Sequence, residues 1–488
     1  MSSARTRLFD LAIIGGGING CGIARDAAGR GLSVLLAEKS DLASATSSAS
    51  SKLIHGGLRY LEQFEFRLVA EALAEREVML RIAAHLAAPL RFVMPHVPQL
   101  RPRWMIALGL FLYDHLARRS MLPGSRRIRL DLAPYVGQLA PRFTHGFIYS
   151  DCRVDDARLV IANALDAKRL GARILVRTEC LSAHRRAGVW RAVLSSGEEV
   201  DARAMVNAAG PWVSQVLEER LGEPSREAVR LVKGSHIVVP RLYEGEHAFI
   251  LQNEDRRVVF MIPYEERFTL IGTTDEPAPE PRAAEPSMAE VRYLCDAVNR
   301  YLARPLAPDG VHWRYAGVRP LCDDGASDLA SITRDYTLRL SDAAGAAPLL
   351  TVFGGKITIY RRLAEQVLDR LRPYLPHMKA PWTASAPLPG SDFAGREDAR
   401  AELAARYPRL SHDLLDGVFR RHGSRAGEVL GDGILGEDYG GGLTERELRY
   451  FVEHEWAAAA DDVLWRRSKA GLHMNERQRE RVAEVLGR

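Results

Sequence analysis

Residues 9–38 read FDLAIIGGGINGCGIARDAAGRGLSVLLAE, and the organisation of the N-terminal half follows from them. An apolar run at 9–14 ends in glycines. A helix-like segment at 18–30 follows, stops at Gly31, and gives way to a Val- and Leu-rich run at 32–38. Strand, helix and strand joined by short turns form a βαβ unit, which predicts an α/β protein with a parallel sheet. Gly15, Gly17 and Gly20 make the pattern G-x-G-x-x-G where the first strand passes into the helix. Gly15 permits the tight turn, Gly17 lets backbone approach a pyrophosphate, and Gly20 lets helix and strand pack closely. Ile18 and Asn19 fall in the first helical turn, whose free N–H groups face the phosphates. Glu38, 23 residues after Gly15, stands where a carboxylate accepts hydrogen bonds from an adenine ribose.

That motif alone fits NAD or FAD. Two later glycine turns favour FAD: NAAGPW at 207–212, with Gly210 and Trp212, and FGGKIT at 353–358, with Gly354, Gly355, Lys356 and Thr358. Each follows a strand-like run, and the second opens a helix. Its N-terminal N–H groups suit the negative charge that a reduced flavin gathers.

The whole chain has 488 residues, 47% apolar and 26% charged, enough for about three domains at ~150 residues each. A net charge of +5 does not indicate a nucleic-acid binder. Five scattered cysteines without a C-x-x-C pair argue against a disulfide framework or zinc site, and no metal is expected. The few residues before the first strand are too short for a signal peptide. The longest apolar stretch, 104–113, is well short of the ~20 residues a spanning helix needs. It lies within residues 100–130, which carry seven arginines and one aspartate, a pattern suited to an interfacial anchor. Only seven of the 67 basic residues are lysine. Genomic composition explains the skew, and each remaining lysine then marks a position where arginine would not serve, since the two differ in shape, donors and pKa behaviour.

Helical spacing marks 66–86 and 155–170. Four β-like runs at 237–239, 248–251, 258–262 and 268–272, separated by turn residues, read as an antiparallel sheet. After 387–390 the sequence becomes helical and charge-rich.

Residues 44–66, SATSSASSKLIHGGLRYLEQFEF, are more specific. With the glycine-rich start they resemble the FAD-dependent, aerobic, membrane-associated glycerol-3-phosphate dehydrogenases. The likeness continues through FIYSDCRVDDARLV (147–160), VKGSHIVVP (232–240), IGTTD (271–275), GVRPLCDD (317–324), ITRDYTL (332–338) and EHEWAAAADDVLWRRSKAGL (453–472), so it covers nearly the whole chain. One departure is Ala209, where family members often have Thr. The resemblance implies a D-amino-acid-oxidase-like fold. A Rossmann-type FAD-binding domain is assembled from 1–90, 151–235 and 318–375. An antiparallel-sheet substrate domain comes from 91–150 and 236–317, and a helical C-terminal domain from 388–488. It implies oxidation of sn-glycerol 3-phosphate to dihydroxyacetone phosphate, hydride transfer to FAD, and electron delivery to ubiquinone or menaquinone. It also implies a cytoplasmic enzyme, peripherally bound to the inner face of the bacterial membrane, and a homodimer.

Residue by residue, the resemblance assigns FAD contacts to Thr46, Ser47, Ser50, Ser51, Lys52, Leu53, His55 and Gly57, beside the glycine turns. Phosphate recognition, which favours forked donors, falls to Arg59, Arg319 and Arg334, with Tyr60 and Thr274 as hydroxyl partners. His55 is the favoured base and His236 the alternative base or orienting group, since imidazole titrates near neutrality. Lys356 is expected near flavin and substrate in an electrostatic role, with base as its second option. An oxidase handing electrons to oxygen, an amino-acid oxidase and an FAD-containing binding module stay as alternatives. The last is disfavoured by His55, Lys356 and the arginines occurring together.

Overall fold

A computed structural model describes residues 7–487 apart from 226, 228, 256, 283–284, 323–334 and 343–344. Leu8–Ile14, apolar on both faces, is a central strand of the first sheet. Glu199–Asn207 and Val34–Ala37 flank it in parallel, with Leu349–Phe353 beyond the former and Arg173–Leu175 beyond the latter. Ile14 is in register with Asn207 and Ala37, and Asn207 with Thr351. The turns at Gly15, Glu38, Ala208 and Gly354 therefore emerge along one carboxyl edge, where open α/β sheets bind their ligands. Helices Ile18–Gly29, Asp156–Arg169 and Tyr360–Leu371 pack together, burying Ile23, Val160 and Leu363 in one core with Leu11 and Ile13.

Among the described residues the second sheet has ten strands. Its path runs Glu276–Pro277, Val229–Pro240, Phe268–Gly272, Val258–Tyr264, Ala248–Gln252, Ala87–Pro95, His145–Val154 and Leu53–Ile54, while Trp313–Cys322 pairs with Val229–Pro240 and Arg126–Arg129 with His145–Val154. All ladders but Ala248–Gln252 on Ala87–Pro95 are antiparallel or bounded by such pairs. The segment boundaries expected after 90, 150, 235 and 317 fall inside Ala87–Pro95, His145–Val154, Val229–Pro240 and Trp313–Cys322. The reason is the ladder itself: pairing such as Val232 with Arg319 continues unbroken past each point.

Helix Arg103–His115 lies on this sheet. Ile106, Leu110 and Tyr113 face the core, whereas Trp104, Leu108 and Phe111 are 63%, 51% and 56% exposed. Among the described residues, no helix is long and apolar enough to cross a membrane.

The C-terminal region is built from helices Arg396–Arg406, His412–His422, Glu445–His454 and Glu476–Leu486 around Phe419, Leu443, Phe451 and Val482. Buried charges fasten it to the first layer. Arg467 grips Asp41 through two bonds of 2.7 and 2.8 Å, Arg158 pairs with Glu455, and Lys469 Nζ lies 3.4 Å from Asp155.

Candidate active site

The floor of the site is one row across four adjacent strands. Phe260 pairs with Gly272, Gly272 with His236, and His236 with Tyr315. The His236 ring lies across Gly272, where a Cβ would come within 2.0 Å of its Cδ2, so only glycine fits. It stacks on Tyr315 with centroids 4.9 Å apart, and its Nε2 lies 2.8 Å from Ser51 Oγ. Its Nδ1 is buried with no hydrogen-bond partner among the described residues. Burial, reinforced by the Lys52 and Arg319 charges, holds His236 well below the usual imidazole range. At the other end of the row, Phe260 meets the His55 ring edge-on at 6.2 Å. Both histidines singled out in the sequence thus border one floor.

The loop over this floor is fixed by its own side chains. The Thr46 hydroxyl donates to Val318 O (2.5 Å), Ser47 Oγ accepts from Ile18 N–H (3.0 Å), and Ser50 Oγ donates to Asp156 (2.7 Å). Tyr315 Oη donates to Ser50 O at 2.8 Å. Lys52 Nζ is buried against Asp156 and Ser48 O, each at 2.9 Å. Burial lowers its proton affinity and Asp156 opposes that. Ser50 and Lys52 are therefore spent on holding the loop, and it offers the site its backbone, Ser47 and Ser51. Leu53 passes directly into the short strand Leu53–Ile54, and Thr358 Oγ1 meets the His55 backbone at 3.4 and 3.5 Å.

Along the carboxyl edge the groups fit a dinucleotide. Glu38 accepts from Gly16 N–H (2.6 Å) and Ser40 N–H (2.7 Å), and each oxygen keeps acceptor capacity for a ribose hydroxyl. Burial raises its pKa, and those two N–H groups oppose the shift. Asn19 Nδ2 donates to Gly354 O at 3.2 Å, which joins the first and last glycine turns, while Asn19 Oδ1 is buried without a hydrogen-bond partner among the described residues. Gly57 and Gly210 hold positive φ, and the Lys39 ammonium caps the Trp212 ring at 4.0 Å. An orphaned buried acceptor between two glycine turns is what a bound cofactor would satisfy.

On the substrate side, Lys356 Nζ stands 3.9 Å over the Tyr60 ring, bringing two expected ligands together. Arg319 donates to Asp275 (2.9 Å) and to Thr274 O (3.0 Å). The Thr274 hydroxyl is turned inward. It accepts from Ser235 N–H at 3.0 Å and donates to Glu290 at 3.3 Å, so it supports Arg319 through its backbone instead of facing the site. Burial pushes Glu290 up, but Lys233, Ser235 and Ser287 outweigh it and hold it at about 2. Arg59 is half-buried in the turn Leu58–Gln63, and Arg334 lies outside the described residues. Asp156, Asp275, Glu290 and Tyr315 escaped the sequence reading. Only the adjacent acids Asp155 and Asp156 carry a local signal, and in the sequence that signal marks the start of the helix at 155–170.

A nucleotide edge with three glycine turns, abutting an antiparallel floor with two histidines and a lysine, defines a flavin-type oxidoreductase. The chain matches the family described as FAD dependent oxidoreductase over residues 10–361, and the C-terminal domain of alpha-glycerophosphate oxidase over 381–487. It belongs to the family of FAD-dependent glycerol-3-phosphate dehydrogenases. It is 52% identical to a glycerol-3-phosphate dehydrogenase of Pseudomonas aeruginosa, over 99% of this chain and 96% of that one. It is 49% identical to a D-erythritol 1-phosphate dehydrogenase of Brucella abortus, over 99% and 98%. The glycerol-3-phosphate dehydrogenase of Bacillus halodurans, solved with FAD, superposes with a TM-score of 0.72 at 26% identity, covering 99% of this chain and 94% of that one.

Proposed function

We propose that this protein oxidises sn-glycerol 3-phosphate to dihydroxyacetone phosphate and passes the electrons to a membrane quinone, ubiquinone or menaquinone. The observation that carries the reading is the shared floor: His55 and His236 border one row of residues, with Lys356 on Tyr60 and the braced Arg319 from neighbouring segments. FAD, when bound, supplies the two-electron acceptor for the hydrogen on C2. Arg319, pre-oriented by Asp275 and Thr274 O, takes the phosphate with Arg59, and a forked guanidinium suits a dianion. His55 receives the C2 hydroxyl proton as the carbonyl forms. His236, buried and neutral, orients Ser51 and leaves the base role to His55. Lys356 favours the anionic substrate and the charge that builds on the electron acceptor.

A second polyol phosphate has support from the Brucella abortus relative, because D-erythritol 1-phosphate shares the phosphate and secondary alcohol. Anaerobic mixing of the holoenzyme with each compound decides between them. We expect glycerol 3-phosphate to bleach the flavin at the higher kcat/KM. Bleaching by an amino acid and by neither phosphate overturns the reading. A quinone analogue set against oxygen as acceptor separates dehydrogenase from oxidase.

Peripheral attachment to the inner face of the cytoplasmic membrane fits the outer face of Arg103–His115. Trp104, Leu108 and Phe111 project there, beside Arg101, Arg103, Arg118 and Arg119. The resemblance further implies a homodimer, which sedimentation measures directly.

A further inference from the structure

The turn that carries His55 is held from two sides, and one of the holders plays no part in the chemistry above. Thr358 meets the His55 peptide. The nitrogen of the His55–Gly56 peptide is met by helix Arg103–His115: Gly56 N–H donates to Tyr113 Oη at 2.8 Å. That hydroxyl in turn donates to Asp151, 2.7 Å from Oδ2 and 2.9 Å from Oδ1. Arg76 Nη1 fixes Asp151 Oδ1 at 2.7 Å. Tyr113, Asp151 and Arg76 are all buried, so the chain Arg76, Asp151, Tyr113, Gly56 runs without solvent. There is little slack, because a Cβ at Gly56 would stand 2.7 Å from Tyr113 Oη and 2.6 Å from Leu73 Cδ2. Burial, with the Asp151 charge, keeps the phenol protonated, so it always has a hydrogen to give Asp151 and a lone pair for Gly56.

We infer that Tyr113 is a positioning residue: through its single hydroxyl it sets the height of the turn 55–57, and with it the approach of His55 to the reacting hydroxyl. This presupposes the oxidation proposed above. A phenyl ring fills the same space but removes the acceptor 2.8 Å from Gly56 N–H and leaves that N–H only the Asp151 carboxylate behind it, so the turn shifts from its native height. Reaction geometry is sensitive to displacements of this kind, whereas overall binding is not.

The test compares Tyr113→Phe with Tyr149→Phe, which removes a hydroxyl from the neighbouring ring 5.7 Å away. Both holoenzymes are mixed anaerobically with sn-glycerol 3-phosphate. For Tyr113→Phe the rate constant of flavin reduction falls about 10- to 100-fold, while FAD content and the apparent dissociation constant stay within about twofold of wild type. Tyr149→Phe changes neither. Wild-type reduction in Tyr113→Phe, or equal losses in both variants, overturns the assignment. Hydrogen exchange in the wild-type holoenzyme gives a second measurement, independent of whether the variant folds. The Gly56 amide should exchange as slowly as the core strands, and rapid exchange overturns the assignment. If wild type is not reduced by glycerol 3-phosphate but Gly56 is protected, the substrate reading fails and the clamp stands.

Discussion

His236 Nε2 lies 2.8 Å from Ser51 Oγ, which ties the substrate sheet to the loop that faces the cofactor edge. If His236 orients and does not titrate, His236→Gln should slow flavin reduction about tenfold while leaving the acidic limb of the pH–rate profile in place. His55→Gln should remove that limb. A limb that vanishes with His236 instead reverses the two roles.

Arg319 is braced by Asp275 and Thr274 O, so its fork is aimed before substrate arrives. Arg319→Lys should raise KM for glycerol 3-phosphate by about 10- to 100-fold, since one ammonium cannot reproduce two parallel bonds. Glycerol itself should be affected far less. Equal effects on both compounds rule out a phosphate role.

Lys356 sits 3.9 Å above Tyr60. Lys356→Arg keeps the charge but not the compact ammonium, and should slow anaerobic flavin reduction several-fold or more. Stopped-flow absorbance reads this directly, and an unchanged rate removes Lys356 from the chemistry.

The buried histidines His85 and His236 have pKa values held well below the ordinary value. Burial dominates, and neighbouring cations act in the same direction. Each takes up a proton on unfolding but not in the native state. Their stabilising contribution is therefore complete above about pH 6.5 and lost as pH falls below it, by about 1.4 kcal/mol per pH unit per histidine until the native pKa is reached. Urea midpoints between pH 7 and 5 should fall less steeply in His236→Gln than in wild type.

The Asp41–Arg467 pair is buried and doubly bonded. Asp41→Asn leaves a buried guanidinium short of its counter-charge, and should destabilise the protein by about 3–5 kcal/mol in chemical denaturation.

How far these features were legible depends on their range in sequence. The βαβ start was readable because Gly15 to Glu38 carries period, turn and acid within one short segment. The antiparallel runs between 236 and 275 declared themselves by turn residues. The partners of the site were not readable. Asp275 braces Arg319 across 44 positions and Tyr315 lies under His236 across 79, through sheet pairing that no local pattern records. In the sequence Thr274 is a hydroxyl partner for the phosphate, yet the link between Phe268–Gly272 and Glu276–Pro277 turns its hydroxyl toward Ser235 and Glu290. The boundaries at 90, 150, 235 and 317 divide the chain into alternating segments, whereas single strands run straight through each of them and no local pattern marks such a shared strand.

Asp155 and Asp156 are adjacent in the chain and answer to different masters. Asp156 holds Lys52 and Ser50 of the loop over the floor, while Asp155 faces Lys469 of the C-terminal region. Two of the seven lysines thus meet back to back across one peptide bond, the second of them 2% exposed and in a left-handed backbone conformation. Removing residues 388–488 would therefore strip a counter-ion from the far side of the cofactor loop. The helical tail thus takes part in the electrostatics behind that loop, and a truncated protein would leave Asp155 without its lysine directly beside the acid that anchors the loop.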